Sequence, residues 1–73
     1  MFNKDLYRSE VIAHGDTLKD AAAVIGCSEA GHSLKVNGKS DFTREEIERF
    51  RDHYGTTDEK LVSIFFMSYL KKT

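Results

Sequence analysis

The segment from Thr17 to Lys39, TLKDAAAVIGCSEAGHSLKVNGK, constrains this chain more than any other. It holds two runs at helical spacing, separated by Gly26-Cys27-Ser28 and closed by Asn37-Gly38-Lys39. Thr17 is a good N-cap for the first run, and Asp20 at the third helical position favours the positive end of the helix dipole. That run passes through Ala21, Ala22 and Ala23 to Ile25 and stops at Gly26, a residue that tolerates positive φ. Ser28 can cap a second helix that begins at once and reaches about Val36, where Asn37-Gly38 is a strong turn signal. Ala22 stands four residues before Gly26, where closely crossing helices need a small side chain. Two short helices joined this way can present one of them to the major groove of DNA. An alanine-rich helix followed by glycine is also the pattern of an ordinary helical hairpin, so the motif alone leaves both readings open.

The rest of the chain is predicted to be helical as well. It contains no proline, and apolar residues recur at helical spacing without sustained period-2 alternation. A first helix is expected from about Lys4 to Ala13, with Leu6, Ala13, Tyr7 and Val11 turned inward and Gly15 ending it. Before the fourth helix, Thr43 and Glu46 have capping-box spacing, and Phe42 and Ile47 sit where a hydrophobic staple would form. Its inward face is Ile47, Phe50 and Tyr54, and Gly55 ends it. A fifth helix is expected from Thr56 or Thr57 to about Leu70. Leu61, Ile64, Phe65 and Ser68 form one stripe on it; Val62, Phe66 and Tyr69 form another. One core needs an apolar stripe only about 100° wide, so the second stripe predicts a homodimer seam, unless a small domain wraps this helix more fully.

Size and composition narrow the class. The 73 residues make one domain, 1–73, with 17–39 as its two-helix centre and about 57–70 as its seam. The single cysteine, Cys27, excludes an internal disulfide and suits a reducing cytoplasm. No stretch approaches the roughly 18 apolar residues of a membrane span, and the N-terminus lacks a signal-peptide core. The formal net charge is −1, so any nucleic-acid surface must come from the distribution of charge rather than its sum. From His32 to Arg44, Lys35, Lys39 and Arg44 face only Asp41.

The run Ser33-Leu34-Lys35-Val36-Asn37-Gly38-Lys39, followed by Phe42 and Glu46-Ile47, closely resembles the lambda-repressor-like (XRE-class) proteins of phages and prophages. The ending Leu61-Val62-Ser63-Ile64-Phe65-Phe66 looks like the last helix of short Cro-like members. The resemblance spans roughly Leu6 to Phe66. It implies a compact all-α five-helix fold with a helix-turn-helix at helices 2 and 3. The implied function is a transcriptional repressor that binds an inverted-repeat operator in double-stranded DNA as a homodimer, in the cytoplasm of a bacterial host at its nucleoid. Mapped onto this chain, Glu29, Ala30, Ser33 and Leu34 would read bases. Thr17, Lys35, Asn37, Lys39 and Ser40 would touch phosphate, and Val62, Phe66 and Tyr69 would form the dimer interface. The chain departs from the family at Leu18, where a phosphate-contacting glutamine is common, and at His32, where a core aliphatic is usual.

Other residues have plainer readings. His32 reads as a partly buried helix residue with a local hydrogen bond, or as a pH-tuned contact. Cys27 reads as a small apolar filler, and Arg49, Arg51 and His53 as a solvated face mixed with Glu48 and Asp52. The helix-start role accounts for Glu46. Lys71 and Lys72 suit a helix C-terminus and a natural chain end. No nucleophile has a neighbouring base, no glycine-rich phosphate loop occurs, and no His or Cys pair has ligand spacing, so no enzyme activity, small-molecule substrate, metal or cofactor is expected. The alternative function is a helical protein-interaction module on the same fold that modulates another regulator. It is motivated by Leu18, Gly31 and His32.

Overall fold

The computed structural model describes residues 2–65, and all regular structure among them is helical. Five helices follow in order: α1, Lys4–Ala13; α2, Leu18–Ile25; α3, Glu29–Val36; α4, Arg44–Tyr54; and α5, Asp58–Phe65. The continuation expected for α5 to about Leu70, with Phe66, Ser68 and Tyr69, lies outside the described residues.

The helix starts follow from local chemistry. Asn3 caps α1 by accepting from the Leu6 amide. Thr17 and Asp20 form a reciprocal capping box on α2, so Asp20 also accepts from the Thr17 amide at 2.9 Å. Ser28 caps α3 through the Gly31 amide. Thr43 and Glu46 form the predicted capping box on α4. The Thr57 hydroxyl accepts from the Lys60 amide at the start of α5. Each cap satisfies donors that a helix leaves open, and its loss costs about 1 kcal/mol.

The core draws on all five helices, with α2 packed against α4 and α1 against α5. Tyr7 and Val11 of α1, Ile25 of α2, Phe50 of α4 and Leu61 of α5 are its largest fully buried side chains. Tyr7 stacks on Phe50 with ring centroids 4.9 Å apart, and Phe2, Phe42 and Phe65 surround the pair. Each such ring, fully buried, contributes about 1.5–3 kcal/mol. Ile47, Phe50 and Tyr54 form the inward face of α4 as predicted, and Phe42 and Ile47 both join the core. The expectation for α1 is half corrected: Tyr7 and Val11 point inward, whereas Leu6 and Ala13 are exposed. With two competing stripes on one short helix, the aromatic ring takes the core.

Long-range polar contacts close the structure. The Asn3 amide donates to the Ile64 carbonyl, tying the N-terminal segment to α5. The Tyr54 hydroxyl donates to Asp16 at 2.8 Å, fixing the end of α4 against the α1–α2 link. Burial and the adjacent Asp16 carboxylate push the Tyr54 phenol well above its ordinary range, so it stays a donor.

Candidate nucleic-acid interface

The turn between α2 and α3 is held from behind by α4. Gly26 adopts φ 83°, a conformation that side-chain-bearing residues rarely take. A Cβ there would also fall 2.6 Å from Arg49 Nη1. That guanidinium donates to the Ile25 carbonyl at 3.1 Å and, through Nη2, to Glu45. Arg49 therefore caps the C-terminus of α2 rather than merely solvating a face. The spacing within α4 carries no sign of a partner 24 residues away.

The side of α3 turned toward the core is locked by two contacts. His32 is only 4% exposed, and its Nε2 lies 2.7 Å from the Tyr7 hydroxyl on α1. The contact is neither local nor solvent-facing, which corrects the expectation of a partly buried residue with a local bond. Burial holds the imidazole below its ordinary pKa, with Glu46 raising it and Lys35 lowering it further. Burial likewise raises the Tyr7 phenol far above its usual range. One turn later, Lys35 Nζ donates to both carboxylate oxygens of Glu46, 2.6 Å from Oε1. Cys27 Sγ donates to the same carboxylate at 3.2 Å. Burial alone would raise the Glu46 pKa, but the bonds from Lys35, the Thr43 amide and Cys27 together hold it low. Glu46 thus does more than start α4: it joins the α2–α3 turn, α3 and α4.

These contacts sort the predicted site residues. Glu29, Ala30, Ser33 and Leu34 are all exposed and lie at the spacing of one α3 face. Leu34 is 47% exposed. Glu29 pairs loosely with Lys19 of α2 at 3.6 Å. Ser33 Oγ accepts from Asn37 Nδ2, and Asn37 Oδ1 accepts from Lys4 Nζ of α1. Thr17, Asn37, Lys39 and Ser40 are exposed, the last two on the α3–α4 link. Lys35 stands apart from this group, because its side chain is mostly covered and its charge is engaged by Glu46. Val62 on α5 is 43% exposed, whereas Phe66 and Tyr69, the other residues expected at a dimer seam, lie outside the described residues.

A cleft of about 300 Å³ runs along the flank of α3. Its α3 wall carries Glu29, Ser33 and Asn37; Lys4 and Arg8 of α1 and Lys19 of α2 line the opposite side. Leu18, His32 and Val36 also line it. Sequence reasoning passed over these three cations, although the Lys4–Arg8 spacing places both on one side of α1. Among the described residues, no group of three His, Cys, Asp or Glu side chains could hold a metal ion, and no helix is long and apolar enough to cross a membrane.

No family model matches the chain, and no curated protein or solved structure gives a significant match.

Proposed function

We propose that this chain is a sequence-specific DNA-binding transcriptional regulator, a lambda-repressor-like domain in which α2 and α3 form the helix-turn-helix. The observation that carries the reading is the division of α3. Its inward side is fixed by Tyr7 and Glu46, and its outward side offers Glu29, Ala30, Ser33 and Leu34 on a rigid support. Glu29 can accept from cytosine N4, Ser33 can bond to several base edges, and Ala30 or Leu34 can pack on a thymine methyl. Thr17, Asn37, Lys39 and Ser40 are exposed as well and suit phosphate contacts that set register. The reading extends to a homodimer with two α3 helices in successive major grooves about 34 Å apart, occluding a promoter as a phage or prophage repressor does. Its place of action is the nucleoid of the bacterial host.

Titration of labelled duplexes at increasing salt tests this reading. Binding is expected to weaken steeply with salt. Lys39→Ala should weaken all duplexes alike and lower the log–log salt slope by about 1. Ser33→Ala or Glu29→Ala should instead alter preference at one base pair, worth about 1–3 kcal/mol. Absence of duplex binding by the folded protein would overturn the reading. The exposed Leu34 and Val62 favour a second reading, docking of a partner protein on the same fold. Such binding would be nearly indifferent to salt.

A further inference from the structure

We propose that the cleft beside α3 is a second DNA-docking element, in which Lys4, Arg8 and Lys19 bind the sugar-phosphate backbone bordering the major groove. This rests on the DNA-binding reading above and adds a surface to it.

Position supports the assignment first. Ser33 and Asn37 belong both to the exposed side of α3 and to the wall of the cleft. A duplex that receives α3 in its major groove therefore brings a bordering strand toward this cleft.

Charge supports it next. Lys4, Arg8 and Lys19 face one carboxylate, Glu29, which Lys19 already accompanies at 3.6 Å. Arg8 is exposed and has no ion-pair partner among the described residues, although its own helix carries Asp5 and Glu10. Glu10 is engaged instead by Lys60 of α5 at 3.2 Å. An unengaged guanidinium presents a planar fork that matches two phosphate oxygens. Lys4 is held against α3 by its 3.1 Å bond to Asn37, so its ammonium is already placed at the cleft.

The assignment also accounts for the charge balance. Lys35, the lysine of α3, is engaged by Glu46. The three glutamates of α4 are each accompanied: Glu45 by Arg49, Glu46 by Lys35 and Glu48 by Arg44. A chain with a net charge of −1 can then still attract a polyanion locally, because the glutamates of α4 are paired and cations gather beside α3.

The experiment compares wild type, Arg8→Gln, Arg8→Lys and the Lys4→Gln/Arg8→Gln/Lys19→Gln triple variant. Circular dichroism checks that each is folded. Fluorescence anisotropy then follows a labelled mixed-sequence duplex of about three helical turns over a salt series. Arg8→Gln should lower the log–log salt slope by about 0.9 and the triple variant by about 2–3, with several-fold weaker binding at low salt. Arg8→Lys should keep the wild-type slope. If wild type binds and the triple variant matches it in affinity and slope, the cleft assignment is overturned and the DNA-binding reading stands. If wild type binds no duplex, that reading fails and takes the cleft with it. If the triple variant loses binding to a polyglutamate peptide while its duplex binding is unchanged, the cleft serves an acidic protein instead, and the proposal is overturned.

Discussion

At the scale of single residues, two polar pairs fix α3, and neither could be seen in the order of residues. His32 stood out because it interrupts an otherwise apolar inward position, but its partner, Tyr7, lies 25 residues earlier on another helix. Removing the Tyr7 hydroxyl leaves a buried imidazole unpaired. Tyr7→Phe should therefore destabilise the fold by about 1–3 kcal/mol, read from urea unfolding. The pair also predicts a pH dependence. His32 titrates near 6.5 when unfolded and lower when folded, so the unfolded chain takes up the proton first. Stability is full above pH 6.5 and falls as pH drops from 6.5 toward the lower folded value. Glu46 is depressed relative to 4.5, so its contribution is lost only in a separate window below that pH. His32→Leu should abolish the upper step and leave the lower one. An unchanged step just below pH 6.5, read by unfolding at a series of pH values, would show that another group causes it.

At the scale of elements, what was legible was local. Caps act over three residues, so Thr17 as an N-cap and Thr43 with Glu46 as a capping box could be read directly, whereas the reciprocal bond between Asp20 and the Thr17 amide goes beyond the dipole role expected of Asp20. Glycine stops at Gly26 and Gly55 were legible for the same reason. The inward side of α1 was less so, because Leu6 with Ala13 and Tyr7 with Val11 define rival stripes that only packing resolves. Arg49 was legible only in part: it is exposed and paired with Glu45 on a charged face, but its bond at the end of α2 depends on a carbonyl brought close by the tertiary fold. Gly26→Ala tests this corner. The substitution forces a side chain into positive φ and pushes Arg49 from the Ile25 carbonyl, so it should cost more than the roughly 1 kcal/mol of a lost cap. A loss below that in thermal or urea unfolding would mean the turn relaxes without Arg49. Thr56 behaves oppositely. It is 5% exposed, and its Oγ1 has no hydrogen-bond partner among the described residues. Thr56→Val should therefore leave stability unchanged or raise it by about 1 kcal/mol.

At the scale of the whole molecule, the division between core and surface determines what the chain can meet. The all-helical five-element architecture was legible in the glycines, caps and apolar spacing, because each is written within one turn of helix. The candidate interface was legible only in part. The outward α3 residues were expected from the family resemblance, whereas the engagement of Lys35 by Glu46 and the placement of Lys4, Arg8 and Lys19 beside α3 follow from the tertiary fold. The proposed dimer is a property of this scale too. Val62 is exposed on α5 beside the buried Leu61, so Val62→Asp should leave the fold intact while shifting the protein toward monomer. Equilibrium sedimentation showing an undiminished dimer would remove this seam.

The central claim, that α3 reads DNA from a two-fold assembly, is tested most directly by selecting bound sites from a random duplex library with the purified protein at moderate salt. The expected product is an inverted repeat whose half-sites lie about one helical turn apart. Recovery of no motif by the folded protein would contradict it.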